Sequence, residues 1–199
     1  MLEKIKKLFE KEGFLLDDEQ AKKFNVYLQE LLKWNKVHNL TAIREPEEVI
    51  KRHFIDSVSL VRCFESINFE WKGKHFVDVG SGAGFPGIPL KIYLKDIKLT
   101  LVEAVSKKCA FLEYIKVKVN EDYEVVCERA EKLNRKFDVS VARALGKFED
   151  VKELMESLAD EYVFILKGSQ LKGEWLKDYN FCKVSLSFVS ESYILWKKL

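Results

Sequence analysis

His75-Phe76-Val77-Asp78-Val79-Gly80-Ser81-Gly82-Ala83-Gly84-Phe85-Pro86-Gly87 runs from a short apolar stretch into three glycines within five positions. The first five residues have the composition of a buried strand, and Pro86-Gly87 opens a helical segment near Ile88 to Leu94. A glycine-rich turn between a strand and a helix lets backbone amides approach a ligand that any Cβ would hold off. A plain turn would not need three glycines, because each one loses more backbone entropy on folding than another residue would. The stretch has two frames. From Gly82 it reads G-x-G-x-x-G, and from Asp78 it reads D-x-G-x-G-x-G. The choice between them decides the fold variant.

The chain around this turn is 199 residues long, enough for one well-buried domain with an appendage and short for a cofactor domain plus a full substrate domain. Hydrophobic residues make up 47% and charged residues 33%, an ordinary globular balance with no apolar run long enough to span a membrane. The start, Met1-Leu2-Glu3-Lys4-Ile5-Lys6-Lys7, interleaves charge with apolar residues and lacks a signal peptide's apolar core, so a cytoplasmic location is expected. Lys and Arg total 34 against 32 Asp and Glu, so any polyanion-binding surface must be local. Cys63, Cys109, Cys127 and Cys182 have no C-x-x-C spacing and sit within apolar patterns. They are expected as free buried thiols rather than a zinc site or a disulfide framework, and no metal site is expected.

Residues 1–72 read as an N-terminal helical region packed on a catalytic domain of residues 73–199. Asp17 to Gln20 carry the signature of a helix N-terminus, followed by Phe24, Leu28, Leu31 and Leu32 at helical spacing. Pro46 opens another helix with the stripe Val49, Ile50, Phe54, Val58 and Val61. Between them, Trp34 to Thr41 reads as a polar connector. After Gly73, β-branched runs alternate with helical segments, the pattern of a mainly parallel sheet covered by helices. Strands are expected near 75–79, 99–103, 124–127, 137–142, 162–167, 184–189 and 193–196. Helices are expected near 88–94, 107–119 and 149–158, with none between the third and fourth strands. The last two strands, separated by Ser190-Glu191-Ser192, suggest an antiparallel ending.

That ending favours the methyltransferase version of the Rossmann plan over the six-parallel-strand dinucleotide version. The expectation is an α/β, Rossmann-like class I fold with a seven-stranded sheet, mostly parallel, whose last strand is antiparallel. Glu103, about 20 residues after the loop, suits ribose hydroxyls in either frame and so does not discriminate. Because Gly80 directly follows the strand, the turn begins in the Asp78 frame, the pattern of S-adenosylmethionine (SAM) sites. There the Asp78 carboxylate is placed to meet the cationic amino-acid end of SAM. The Y-x-x-x-K of Tyr114 to Lys118, which a dehydrogenase reading would need, falls on the helix after the second strand, too early to face a nicotinamide.

From Trp34 onward the sequence resembles the bacterial small-subunit ribosomal RNA guanine-N7 methyltransferases called RsmG, formerly GidB. The resemblance is carried by Trp34-Asn35-Lys36-Val37-His38-Asn39-Leu40-Thr41, Arg52-His53-Phe54-Ile55-Asp56-Ser57, Val77 through Pro89, Arg129-Ala130-Glu131 and Val141-Ala142-Arg143-Ala144. It implies methyl transfer from SAM to N7 of a guanine in the decoding-region loop of 16S rRNA, guanosine 527. The partner is then 16S rRNA or an assembling small subunit, and a monomer away from membranes is expected. The matching positions imply that Gly80, Gly82, Gly84 and Phe85 form the cofactor loop, that Glu103, Ala104 and Val105 meet ribose and adenine, and that Ala130 and Glu131 lie beside the adenine. Arg143 is implied where cofactor and base meet. Glu128 stands where the family often has glycine, and Ser192-Tyr193 where many members have Arg-His.

Guanine N7 has an in-plane lone pair and needs no deprotonation before attack, so no general base is expected. Arg143 is the candidate for orienting the base, by bidentate donation to O6 or by holding a phosphate. Loop bases in RNA are read by splaying them out, with basic side chains tracking the phosphates. The candidates for RNA contact are Asn35, Lys36, His53, Arg129, Lys147 and Lys167. His53 and Asp56, one turn apart, are expected to brace the helical region, and Trp34 to belong to the core. The other enzyme reading is a SAM-dependent methyltransferase of a small metabolite, with the N-terminal helices as a lid.

Overall fold

A computed structural model describes residues 1–143 and 146–199. The chain begins with helix α1 (Leu2–Lys11), which buries Ile5 and Phe9, and α2 (Asp18–His38). Both halves of the expected capping box form, with Gln20 N donating to Asp17 Oδ1 at 2.8 Å and Asp17 N donating to Gln20 Oε1 at 2.9 Å. Helix α2 runs further than its polar composition suggested. The stretch from Trp34 to His38 is helical rather than a connector, and the helix ends at Asn39 in the left-handed conformation. Next come α3 (Pro46–Val49), a π-helical stretch (Ile50–Ile55), α4 (Asp56–Val58) and α5 (Leu60–Ser66). The apolar stripe predicted one regular helix here. The wider π turn in its middle instead carries His53.

The remainder is the expected alternation: β1 (His75–Val79), α6 (Gly87–Leu94), β2 (Lys98–Val102), α7 (Ser106–Val119), β3 (Glu124–Val126), β4 (Phe137–Arg143), α8 (Phe148–Ser157), β5 (Ala159–Gly168), β6 (Asn180–Leu186) and β7 (Val189–Lys198). The sheet order is β3-β2-β1-β4-β5-β7-β6. The first five strands pair in parallel, and β7 runs antiparallel between β5 and β6. Order and direction are those of the class I methyltransferase plan, as the sequence indicated.

The hairpin turn is at Ser187-Phe188, not at Ser190 to Ser192. Those three polar residues lie within β7, where Glu191 pairs across the hairpin with Lys183 and accepts from Tyr193 Oη. Their polar composition imitated a turn. Glu12, at the end of α1, takes hydrogen bonds from the Ser187 amide and hydroxyl and so ties the hairpin to the N-terminus.

Alternate residues of the strands feed two cores. One face, with Phe76, Leu101, Val141 and Phe164, is covered by α1 to α7 in a single cluster, where Phe64 packs edge-on against Phe164 at 4.8 Å. The opposite face, with Val77, Val79, Ala142 and Ile165, is covered by α8 and the 3₁₀ turn Gly173–Lys177. The helical region before Gly73 therefore shares its core with the sheet. Trp34, as expected, packs into this core beside Phe111 and Tyr114.

The four cysteines correct the sequence reading. Cys63 is bonded to Cys182 and Cys109 to Cys127, with Cα atoms 5.6 and 5.7 Å apart. Sequence spacing could not show this, because α5 meets β6, and α7 meets the end of β3, only in the folded chain.

Candidate active site at the carboxyl ends of the strands

Two cavities open at the carboxyl ends of the parallel strands, where ligands bind in open α/β sheets. The first holds about 450 Å³ and is lined by Gly80, Val102, Glu103, Ala104, Lys108, Glu128, Arg129, Ala130, Glu131 and Asp150, among others. Four carboxylates face two cations there, an electrostatic setting for a positively charged ligand. The second, of about 560 Å³, is lined by Ile43, Arg52, His53, Asp56, Arg143, Gly146, Leu166, Lys167, Gly168 and Gln170.

The loop between the cavities is held from beneath. Glu103 bridges it to the next loop, accepting from Gly82 N at 2.8 Å and from Val105 N at 2.9 Å. Gly84 has φ +104°, and a Cβ there would lie 2.4 Å from Ile88 Cδ1 and 2.7 Å from the Tyr27 hydroxyl. That hydroxyl donates to Ala83 O at 2.5 Å, so α2 clamps the loop. Gly87 meets Asp78: its N–H donates to Asp78 Oδ2 at 2.8 Å, and a Cβ would fall 2.7 Å from that oxygen.

Asp78 is not at the cavity surface as its place in the motif suggested. Its side chain is fully buried, and Oδ1 has no partner among the described residues. Burial pushes its carboxyl up to about 7, against the opposing pull of the Gly87 amide and Arg143.

Phe85 is a buried ring beneath the His53 and Arg143 side chains of the second cavity. Tyr27 stacks beneath it at 5.6 Å, His53 stacks at 4.5 Å with rings 19° apart, and the Arg143 guanidinium lies 4.9 Å from its centroid. Arg143 donates to His53 Nδ1 at 2.8 Å and to Arg52 O at 2.9 Å, with Asp56 Oδ2 at 3.4 Å. Since Arg has only donors, Nδ1 must be the acceptor, which leaves the proton on Nε2 to reach Thr41 Oγ1 at 2.7 Å. Burial, reinforced by Arg143, brings His53 down to about 3 and keeps it neutral. Burial raises Asp56, with Arg143 opposing.

The network continues to Asn35, whose Oδ1 accepts from Thr41 N at 2.9 Å and whose Nδ2 donates to Ile43 O at 3.4 Å. The Asn-Leu-Thr and His-x-x-Asp-Ser segments thus converge on one cluster. Helix α2, the following loop and the π turn deliver them there.

The site residues expected from sequence separate as follows. Gly80, Glu103, Ala104, Ala130, Glu131 and Arg129 line the first cavity. Gly82 and Gly84 shape the loop without lining it, and Val105 contributes its amide while its side chain is exposed. Arg143 lies in the second cavity, where its Nη1 and Nη2 each already donate to a protein acceptor. Asn35 is 2% exposed and acts as a brace, a correction to its reading as an RNA contact. His53 and Lys167 line the second cavity, and Lys167 sits 4.9 Å over Trp175. Lys36 borders a separate hollow with Arg44, and Lys147 is exposed just before α8. Ala144 lies outside the described residues. Asp150, Val151 and Leu154 of α8 also line the first cavity, and no motif marks them in the sequence.

Among the described residues, no cluster of three or more His, Cys, Asp or Glu is arranged to hold a metal ion. No helix among them is long and apolar enough to cross a membrane.

The family model of rRNA small subunit methyltransferase G (GidB) matches residues 20–195. A ribosomal RNA small subunit methyltransferase G from Aquifex aeolicus (strain VF5) is 70% identical over 98% of this chain and 100% of its own length. One from Mycoplasma capricolum is 39% identical over 83% of this chain and 72% of its own. Among solved structures, magnesium protoporphyrin IX methyltransferase from Synechocystis PCC 6803 with bound SAM superposes with a TM-score of 0.62 at 15% identity, covering 92% of this chain and 98% of that one. A T. thermophilus 16S rRNA N2 methyltransferase with AdoMet and guanosine gives 0.53 at 16% identity over 71% and 42%. At such identities the structural likenesses bear on fold alone.

Proposed function

The chain belongs to the rRNA small subunit methyltransferase G family, and on that premise we propose that it transfers the methyl group of SAM to N7 of a guanine in 16S rRNA. The reading names guanosine 527 of the decoding-region loop as the target. It places the protein in the cytoplasm as a monomer acting on 16S rRNA or the assembling small subunit.

The observation that carries it is an acidic cavity at Glu103 and a second, more basic one at Arg143, both at the carboxyl ends of the strands. The first cavity fits SAM in size and charge. Its volume lies within the usual range of ligand sites, Gly80, Ala104 and Ala130 keep its walls low, and its carboxylates suit a ligand bearing sulfonium and ammonium charges. Glu103 would accept from the ribose hydroxyls, with Ala104, Ala130 and Glu131 beside the adenine. SAM, when bound there, supplies a methyl group activated by its sulfonium.

In this reading the protein excludes water and holds the base in line; removing a proton is not required, and neutral His53 is not poised to do so. Arg143 packs on the Phe85 ring and fixes the His53 ring. Arg52 and Lys167, at the mouth of the second cavity, would track phosphates, with Arg129, Lys36 and Lys147 further along the surface. That basic rim favours RNA over a small metabolite.

The test is a transfer assay with methyl-labelled SAM and small subunits from a strain lacking the enzyme, followed by nucleoside analysis. Label in 7-methylguanosine is expected. Saturable SAM binding with no RNA label would move the assignment to a small-molecule substrate.

A further inference from the structure

Asp56 is the only carboxylate among the described residues lining the second cavity, which Arg52, Lys167 and Gln170 also line. Among those residues its one side-chain contact is long, 3.4 Å from Oδ2 to Arg143 Nη1, and that Nη1 has a nearer partner in Arg52 O. Asp56 is therefore not consumed by the ion pair. Its side chain keeps 19% of its surface, and the residue lines the cavity one position beyond the π turn that positions His53.

A carboxylate in a cavity with room for a purine has a specific complement. The Watson–Crick edge of guanine presents two adjacent donors, N1–H and the N2 amine, which two carboxylate oxygens accept together. Adenine presents an unprotonated N1 there, which a carboxylate repels. N7 lies on the opposite edge of the ring, so holding guanine by N1 and N2 leaves N7 free.

The same group also favours the reaction. As the N7 lone pair forms the new N7–CH₃ bond, the S–CH₃ bond breaks and its electron pair stays on sulfur. The sulfonium becomes a neutral thioether, and the positive charge appears on the guanine ring, with no proton released at N7. A cationic ring makes N1–H and N2–H stronger donors, so their bonds to a carboxylate tighten as the transition state is approached.

The geometry points to Asp56 as the residue that selects guanine, by accepting from N1–H and N2–H, and that stabilises the charge methylation places on the base. This rests on the proposed N7-guanine reading and adds the group that reads the base.

The test compares small subunits reconstituted with 16S RNA ligated to carry either guanosine or inosine, which lacks the N2 amine, at the target. Single-turnover methyl transfer and particle binding are measured for the wild type and for Asp56→Asn, with SAM affinity and melting temperature as controls. The wild type should favour guanosine over inosine by roughly tenfold or more, the loss of one hydrogen bond to a charged group. Asp56→Asn should bind SAM normally, lose at least roughly tenfold in rate on guanosine, and treat the two bases alike to within about twofold.

Two results would overturn the assignment: equal wild-type rates on both bases, or a variant whose rates fall by the same factor on both. The second is what a residue that merely braces Arg143 would give. Should the Asp56→Asn variant not fold, the wild-type ratio alone still decides. Failure of the wild type to methylate guanosine particles at all would be a separate outcome, counting against the N7-guanine reading itself.

Discussion

Nη2 of Arg143 lies 2.8 Å from Nδ1 of His53, and both side chains rest on the ring of Phe85. The contact fixes the imidazole tautomer and joins the end of β4 to the π turn. It also makes the imidazolium doubly unfavourable, through burial and through a neighbouring cation.

The pH dependence of stability follows in sign. The folded His53 is down at about 3 against 6.5 for an ordinary histidine, so its contribution is complete above pH 6.5 and is lost as pH falls towards 3. Thermal melts of wild type and His53→Gln should diverge least in acid and most above pH 6.5. A difference between the two that stays constant from pH 4 to 8 would contradict the buried neutral imidazole.

Asp78 should behave in the opposite direction. Its folded carboxyl is raised to about 7 from 3.8, so the folded state holds that proton more tightly than the unfolded chain. Stability from this group is complete below pH 3.8 and is lost as pH rises to 7. Asp78→Asn keeps an acceptor for the Gly87 amide and removes the buried charge. The variant should gain on the wild type as pH rises, with the largest gain in melting temperature at pH 8.

Glu103 is the sharpest test of the first cavity. Glu103→Gln keeps the shape but removes one acceptor and the charge at a side chain that two backbone amides already occupy and that, on the proposed reading, also holds the cofactor ribose. Calorimetry should show SAM binding weakened by roughly 10- to 100-fold, in keeping with the 1.5–3 kcal/mol of a hydrogen bond to a charged group. Unchanged affinity would mean that the ribose lies elsewhere.

The disulfides differ in the loop each closes. Cys63–Cys182 spans 119 residues and Cys109–Cys127 spans 18. On the chain-entropy account the first is worth roughly 5 kcal/mol and the second roughly 3. Paired Cys→Ser variants, unfolded in denaturant without reductant, should rank in that order. Reductant should bring the wild type below either variant.

Much of the fold was legible before any coordinates. Strand β1 and the limits of α6, α7 and α8 agree with the sequence reading to within a residue or so, because buried parallel strands and amphipathic helices have distinct apolar periods. The capping box at Asp17 and Gln20 was readable because it is local, closing over three residues. The glycine turn between β1 and α6 was legible for the same reason: a short span of backbone makes that turn.

What escaped the sequence depends on residues far apart in the chain. Asn35 looked like a polar connector residue and is a buried brace; Ser190 to Ser192 looked like a turn and are strand. Cys63 finds Cys182 only after α5 has packed on β6. Arg143 looked free to grip a base, yet two of its N–H groups are engaged by Arg52 O and His53 Nδ1, about 90 positions away. Local spacing determines which elements form and where the backbone can turn. Which polar groups are left over for chemistry is decided by tertiary packing, since a donor or acceptor is available only after every buried neighbour has been satisfied.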